Sequence, residues 1–186
     1  MHIFIKMRKD LSREIEIPEG VEFIIEGSSV IVKGTEGENK KKFDLGKLAL
    51  KKEGNTIKVG HEKSTKNEKK MMNTIVAHLK NMIAGVQKKF EYKLKVASSH
   101  FPITVKLEGN RAIIKNFLGE KVDRICDIPT GAEVKIDKDI ITITSVDREI
   151  AGQASANFEA ATKVRNRDRR IFQDGIYITS KAGEEI

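Results

Sequence analysis

The feature that most constrains the fold of this chain is an internal repeat of a strand-forming segment. Residues 17–34 align with residues 128–145 at an ungapped offset of 111, and five of the 18 positions are identical. Both copies begin Ile-Pro-x-Gly-x-Glu and continue with apolar residues at alternate positions. We predict from this agreement that the chain arose by duplication of one small unit.

Each copy predicts a β-hairpin. Proline cannot donate to a strand ladder, so it precedes the strand, and the glycine two residues later allows a turn. In each copy an alternating run, a polar turn and a second alternating run then follow. The predicted strand pairs are residues 21–25 with 30–33 and residues 134–136 with 141–144.

Apolar side chains at three- and four-residue steps predict one amphipathic helix in each half. The first stripe runs from Met72 to Val86, and Thr65 with Glu68 has the spacing of a capping box. The second runs from Ile150 to Val164, where Asp147 suits the positive end of the helix dipole. Further short strands are predicted at residues 3–5, 15–17, 41–44, 48–51, 56–59, 90–96, 103–107, 111–115 and 176–179.

These elements predict an α+β fold of two tandem duplicated domains, each an antiparallel β-sheet with one α-helix packed on a face. The helix pattern gives way to a strand pattern near residues 85–87. We therefore expect an N-terminal α+β repeat over residues 1–86 and a C-terminal α+β repeat over residues 87–186.

Composition and motifs exclude several classes of function. A lone Cys126 cannot form an internal disulfide, which is typical of a reducing compartment. The sequence has no metal-ligand spacing, phosphate loop or nucleophile–base pair, and no apolar run near the roughly 18 residues of a membrane span. We expect no enzyme activity, cofactor, metal, membrane contact or small-molecule substrate. Since aromatic residues are only 5% of the chain, a base-stacking platform for single strands is also not expected.

Charge indicates the kind of partner. The 186 residues include 35 Lys and Arg against 27 Asp and Glu, which gives a net charge of +8 and favours a polyanion, above all nucleic acid. Residues 40–42 and the lysines at 63, 66, 69 and 70 are interpreted as solvated faces.

The strongest candidate site is the cationic segment after the second helix, where residues 161–181 hold six basic residues against Asp168 and Asp174. Arginine can clamp a phosphate with two hydrogen bonds. Arg165, Arg167 and Arg169 alternate with other residues, so in an extended segment they share one face. We expect Lys163 in the last helical turn and Asp168 to orient a neighbouring arginine. The alternative is a solvated connection whose charges serve solubility.

Three stretches resemble one family. The first stretch is similar to the C-terminal signature of the large-subunit ribosomal protein L6 family, in its archaeal and eukaryotic branch. It comprises residues 152–159, Lys163, residues 167–178 and Lys181. Ser99-His100-Phe101-Pro102 and residues 116–121 resemble the same branch. The resemblance covers about residues 9–181, nearly the whole chain.

The resemblance implies a cytoplasmic, structural constituent of the large ribosomal subunit that supports translation. It also implies binding to large-subunit rRNA through the C-terminal domain, near the sarcin-ricin loop and the stalk base, among neighbouring ribosomal proteins. The candidate rRNA-binding residues are Lys163, Arg165, Arg167, Arg169, Arg170 and Lys181, with Asn116 and Lys121. An RNA-binding module outside the ribosome and a protein-interaction scaffold remain open as alternatives.

Overall fold

The computed structural model describes residues 9–186, apart from the side chains of residues 9, 10, 62 and 63. The strand predicted at residues 3–5 lies outside the described residues. The chain divides between Lys88 and Lys89 into two compact units, and the described part of each unit contains one α-helix.

The N-terminal unit packs one helix on two small antiparallel sheets. Its elements are β1 (Lys9–Glu16), β2 (Glu22–Glu26), β3 (Ser29–Gly34), β4 (Gly37–Lys42), β5 (Ala49–Glu53), β6 (Thr56–Ser64) and α1 (Lys66–Gln87). The strands form the sheets β1-β6-β5 and β2-β3-β4, and α1 contacts strands of both. The predicted capping box is confirmed, since Glu68 accepts from the Thr65 N–H at 2.8 Å and the Thr65 hydroxyl accepts from the Asn67 N–H at 3.4 Å.

The C-terminal unit repeats this plan with a larger second sheet. Its elements are β7 (Phe90–Ala97), β8 (Thr104–Glu108), β9 (Arg111–Lys115), a 3₁₀ turn (Phe117–Gly119), β10 (Arg124–Asp127), β11 (Glu133–Asp137), β12 (Ile140–Ser145), α2 (Arg148–Ala161), β13 (Gly175–Lys181) and β14 (Glu184–Glu185). The sheets are β10-β9-β8 and β11-β12-β7-β13-β14. Helix α2 buries Ala151, Ala154 and Phe158 against this core, and Asp147 caps it by accepting from the Glu149 N–H at 2.8 Å.

The predicted α+β class is confirmed, and each unit divides its strands between two sheets. Several strands are longer than the sequence predicts, and β6, predicted at residues 56–59, runs to Ser64. Strand β1 begins at Lys9 and β4 begins at Gly37, both earlier than their apolar alternation indicates. Strands β10 and β14 were not predicted, because the apolar residues of β10, Ile125 and Cys126, are adjacent and do not alternate, and β14 has only two residues.

The two units share one strand order, but not in the register that the sequence repeat predicts. Sheet β1-β6-β5 corresponds to β7-β12-β11, sheet β2-β3-β4 corresponds to β8-β9-β10, and a helix follows β6 and β12. The hairpin β2–β3 is therefore the counterpart of β8–β9. The equivalence of residues 17–34 with residues 128–145 is wrong, although both segments are hairpins as predicted.

The hairpins have a common local pattern, which explains the misalignment. Each unit holds two hairpins in which apolar residues alternate on either side of a turn with positive φ. The positive-φ positions are Gly27 (62°), Gly54 (61°), Gly109 (60°) and Lys138 (51°). Because the pattern encodes a hairpin and not its place in a sheet, the sequence aligned two hairpins of different position.

Candidate nucleic-acid interface

The cationic segment forms an irregular loop between α2 and β13, which we call the cation loop (residues 162–174). Helix α2 ends at Ala161, so Lys163 lies beyond the C-cap residue Thr162 and not in the last helical turn as expected. The prediction that this segment is extended is also wrong. Asn166 adopts a left-handed φ of 56°, and the Asp168 carbonyl accepts from the Phe172 N–H at 2.9 Å, so the chain turns twice.

Because of these turns, residues 163–169 line a shallow cavity with a volume of roughly 630 Å³, which we call the concave surface. All six predicted cations of the segment are exposed. Within the described part of the chain, Lys163, Arg165 and Arg169 form no ion pair with a carboxylate. The concave surface therefore carries positive charge that the protein itself does not neutralise.

Arg170 is the exception, because Asp168 holds it. Its Nε and Nη2 donate to the two carboxylate oxygens of Asp168 at 3.2 and 3.0 Å, and its backbone N–H donates to Oδ1 at 2.9 Å. These hydrogen bonds from Arg170 lower the pKa of Asp168. The expectation that Asp168 orients a neighbouring arginine is confirmed.

Arg167 is held by an aromatic stack. Its guanidinium carbon lies 4.8 Å from the centroid of the Phe172 ring, and that ring stacks on His100 with centroids 4.9 Å apart. His100 Nδ1 lies 2.5 Å from Asp174 Oδ2. A cation over an aromatic face is attracted to the ring quadrupole, so the stack fixes where Arg167 presents its charge.

Asp174 anchors this stack from inside the protein. Its side chain is 1% exposed, and its Oδ1 accepts from the N–H groups of Ser99 at 2.5 Å and His100 at 3.0 Å. Burial, the largest single influence, raises the pKa of Asp174, but the hydrogen bonds from His100 and Ser99 outweigh it and lower the pKa overall. A charged, fully bonded carboxylate thus positions the end of the cation loop.

Arg124 fixes the other end of the cation loop and is not among the functional residues predicted from the sequence. Its Nη1 donates to the carbonyl oxygens of Ala161 at 2.8 Å and Lys163 at 3.3 Å, and its Nε and Nη2 donate to Glu120 at 2.8 and 2.7 Å. The guanidinium also lies 4.1 Å from the centroid of Phe117. The hydrogen bond from Arg124 is the main cause of the lowered pKa of Glu120. The available signal was the four-residue spacing of Glu120 and Arg124.

The structure separates the remaining predicted residues. Asn116 has a left-handed φ of 60° and donates its amide to the Pro102 carbonyl at 3.0 Å, so it shapes its own loop. Lys121 is exposed in that loop, which Arg124 ties to the cation loop. Lys181 lies at the far end of β13, about 20 Å along the strand from Gly175 at the usual rise per residue. The structure therefore does not group Lys181 with the cation loop.

The three stretches that carry the family resemblance meet in the C-terminal unit. Ser99 and His100 bind Asp174, while Asn116 binds Pro102. Phe101 packs on Gly119, where a Cβ atom would lie 3.3 Å from Phe101 Cζ. The stretches are thus parts of one support for the cation loop.

Among the side chains that the structure describes, no group of three His, Cys, Asp or Glu residues could hold a metal ion. Neither of the two described helices is long and apolar enough to span a membrane. Cys126 is 3% exposed, and burial raises the pKa of its thiol to about 11, which leaves it protonated at neutral pH. The fold and the site define a protein that presents fixed positive charge on a rigid support.

Comparison with known proteins identifies the family. The family model for ribosomal protein L6 matches residues 17–89 and again residues 101–175. The chain is 43% identical to large ribosomal subunit protein uL6 of Methanobrevibacter smithii, over 92% of this chain and 96% of that protein. It is 43% identical to uL6 of Methanothrix thermoacetophila (94% and 99% covered) and 41% identical to uL6 of Methanococcus vannielii (95% and 97% covered). The chain belongs to the ribosomal protein L6 family.

Membership confirms the resemblance and the duplication. The chain is a structural ribosomal protein that acts in translation in the cytoplasm, and it is not an enzyme. The two matched segments begin at residues 17 and 101, 84 residues apart. Strands β5 and β11 begin at Ala49 and Glu133, which are also 84 residues apart. The other corresponding elements of the two units begin 81 to 87 residues apart, so the spacing of the matched segments agrees with the strand order and not with an offset of 111 residues.

Proposed function

We propose that this protein is built into the large ribosomal subunit and binds large-subunit rRNA through its cation loop. The relatives named above are proteins of the large ribosomal subunit. The observation that carries the proposal is the concave surface of residues 163–169, which has four exposed cations, none of them in an ion pair within the described chain. Such a surface is complementary to closely spaced phosphates.

The chemistry of the cation loop favours backbone recognition. Arg165 and Arg169 each offer a planar fork that can donate two hydrogen bonds to one phosphate, and Lys163 adds a point charge. Arg167 is already oriented on Phe172, so less side-chain freedom is lost when it binds. Phosphate contacts of this kind fix the register of the RNA and carry little sequence information. Folded RNA would be recognised by its shape.

In this proposal the C-terminal repeat, residues 87–186, carries the main rRNA contact, and residues 1–86 form the N-terminal repeat. Arg170 adds charge near the surface although Asp168 holds it. Lys121 and Asn116 extend the contact along the adjoining loop, whereas Lys181 forms a separate contact. The family resemblance supports a position near the sarcin-ricin loop and the stalk base, where the partners are rRNA and neighbouring ribosomal proteins.

Sedimentation tests this proposal. Large subunits are reconstituted with the wild-type protein, with Arg165→Gln/Arg167→Gln/Arg169→Gln, or with the matched control Lys66→Gln/Lys69→Gln/Lys70→Gln. The control removes the same charge from exposed positions on α1 of the N-terminal unit. We expect the wild-type protein and the lysine variant to sediment with large subunits at moderate salt and the arginine variant to be lost.

The other outcomes contradict the proposal in distinguishable ways. If the wild-type protein binds rRNA but never enters large subunits, it is an RNA-binding module outside the ribosome. If the arginine variant binds rRNA and sediments as the wild-type protein does, the cation loop is not the RNA contact and the scaffold alternative is favoured.

A further inference from the structure

We infer that an apolar cleft beside the cation loop binds one unstacked base of the RNA, an inference that rests on the proposed function. The cleft has a volume of roughly 370 Å³ and lies between α2, the cation loop and β13. We call it the base cleft. Val164, Phe172 and Tyr177 form its apolar walls, and Glu159, Lys163 and Arg169 supply its charged groups.

The base cleft adjoins the concave surface of the cation loop. Lys163, Val164 and Arg169 line both. One nucleotide can therefore place its phosphate among the cations and its base against the apolar walls, with Arg169 between the two. This separation of charge from apolar surface matches a nucleotide, whose phosphate is an anion and whose base is flat and weakly polar.

Tyr177 presents a fixed aromatic ring to the base cleft. Its hydroxyl donates to the Gln173 carbonyl at 3.1 Å, and its side chain remains 43% exposed. The ring lies across Gly175, where a Cβ atom would be only 3.1 Å from Tyr177 Cζ, so the absence of a side chain at that position allows this arrangement. A ring held in place before binding offers a stacking face at a small cost in conformational entropy.

The carboxylate of Glu159, at the rim of the base cleft, can form hydrogen bonds with the edge of a base. Glu159 is exposed in the last turns of α2, and its carboxylate can only accept hydrogen bonds when ionised. Carboxylates accept from the exocyclic amino groups of bases, as with cytosine N4. The base cleft therefore favours a base with an amino group, splayed from its helix as in sequence-dependent RNA recognition. One such cleft is compatible with the scarcity of aromatic residues, which argues only against an extended stacking platform.

The test uses deproteinised large-subunit rRNA of Methanobrevibacter smithii as the probe and three variants of the full chain. Tyr177→Leu removes the ring, Tyr177→Phe keeps the ring and serves as its control, and Ala156→Leu fills the base cleft from an exposed helix position that lines it. Dissociation constants are measured by filter binding over a range of potassium chloride concentrations. Dimethyl sulfate then reports which adenines and cytosines of the bound rRNA are protected.

Stacking does not depend on counterion release, so the variants should separate affinity from salt dependence. We expect Tyr177→Leu and Ala156→Leu to bind about tenfold more weakly with an unchanged salt slope. Tyr177→Phe keeps the ring but loses the hydrogen bond to the Gln173 carbonyl, so it should lose less affinity than Tyr177→Leu. One adenine or cytosine protected by the wild-type protein should become reactive with Tyr177→Leu.

Failure of this inference can be told from failure of the proposed function. If the wild-type protein does not bind the rRNA, both are overturned. If it binds through Arg165, Arg167 and Arg169 but Ala156→Leu and Tyr177→Leu bind equally well, only the base cleft is overturned. A weaker affinity with a reduced salt slope also overturns it, because that result indicates a lost phosphate contact. If Tyr177→Leu does not fold, as judged by thermal unfolding, Ala156→Leu decides.

Discussion

The two units have the same strand order but connect their elements differently. In the N-terminal unit a tight turn joins β3 to β4, and Gly34 packs so closely on Val86 that a Cβ atom would lie 2.7 Å from the Val86 carbonyl oxygen. In the C-terminal unit the corresponding strands β9 and β10 are separated by residues 116–123, and α2 is followed by the cation loop and β13. The candidate site is built from connections for which the described N-terminal unit has no counterpart.

The comparison also shows that net charge does not locate the site. Residues 1–88 carry a net charge of +6 and residues 89–186 carry +2. The unit with the smaller net charge nevertheless holds the concave surface lined by Lys163, Arg165 and Arg169. What distinguishes the C-terminal unit is that Arg124 and Asp174 hold the two ends of the cation loop and that Phe172 holds Arg167. The position of the cations and the contacts that hold the cation loop therefore locate the site, and the net charge of the unit does not.

The largest expected difference between the units follows from Asp174→Ala. This change removes the buried carboxylate that accepts from the part-buried N–H groups of Ser99 and His100, which we expect to destabilise the C-terminal unit by about 2–3 kcal/mol. Hydrogen exchange should show faster exchange in β7 and β13, while β1, β5 and β6 keep their protection. Equal acceleration in both units would contradict the idea that Asp174 supports one unit alone.

The contribution of Asp174 should also depend on pH. Its pKa is lowered in the folded protein, so its stabilising effect is present above the ordinary aspartate pKa of about 3.9 and is lost as the pH falls through the folded value. In urea unfolding, the stability advantage of the wild-type protein over Asp174→Ala should shrink as the pH falls below about pH 4. An advantage that persists unchanged at pH 3 would show that Asp174 acts without its charge.

A smaller effect is expected from Arg124→Lys, which changes the link between the loop of residues 116–123 and the cation loop. Lysine keeps the charge but cannot bond Glu120 and the Ala161 carbonyl in the same planar arrangement. We expect a loss of about 1–2 kcal/mol in the free energy of unfolding and weaker rRNA binding with an unchanged salt slope.

Arg111→Lys is the matched control for this change, because Arg111 forms an exposed ion pair with Asp127 whose side chains are 65% and 75% exposed. That variant should change the free energy of unfolding by less than about 0.5 kcal/mol. If the two variants behave alike, Arg124 does not position the cation loop.

The smallest effects test the register of the duplication. Gly54 and Lys138 occupy equivalent hairpin turns, with φ of 61° and 51°. Gly54→Ala should destabilise the N-terminal unit by about 1 kcal/mol, and Lys138→Gly should stabilise the C-terminal unit by up to about 1 kcal/mol, because only glycine adopts this conformation without a steric cost. Denaturant unfolding measures both. Changes of the same sign would show that the two turns are not equivalent.

Local patterns in the sequence predicted much of the fold. The stripe from Met72 to Val86, the capping box at Thr65 and the cap at Asp147 depend only on neighbours within a few residues, and the structure confirms all three. The register of the duplication could not be obtained in this way. Hairpins at different places in a unit obey the same local rules, so only the strand order and the family model separate them.

The candidate site was predicted in composition but not in shape. Charge clustering identified Arg165, Arg167 and Arg169, yet the backbone conformation at Asn166 and the hydrogen bonds of Asp168 determine that the segment turns. Arg124 was missed because its main-chain partners lie 37 and 39 residues away. The bonds of Asp174 to Ser99 and His100 span 75 and 74 residues. Contacts of that separation leave no periodic signal in the sequence.

The central claim is that rRNA binds the cation loop of the C-terminal unit, and the salt dependence of binding tests it most directly. Filter binding compares the wild-type protein with Arg165→Gln/Arg167→Gln/Arg169→Gln and with Lys66→Gln/Lys69→Gln/Lys70→Gln. Each neutralised phosphate adds about 0.7–0.9 to the slope of log affinity against log salt. We predict that the arginine variant lowers the slope by about 2–3 and that the lysine variant leaves it unchanged. A slope lowered only by the lysine variant would contradict the account.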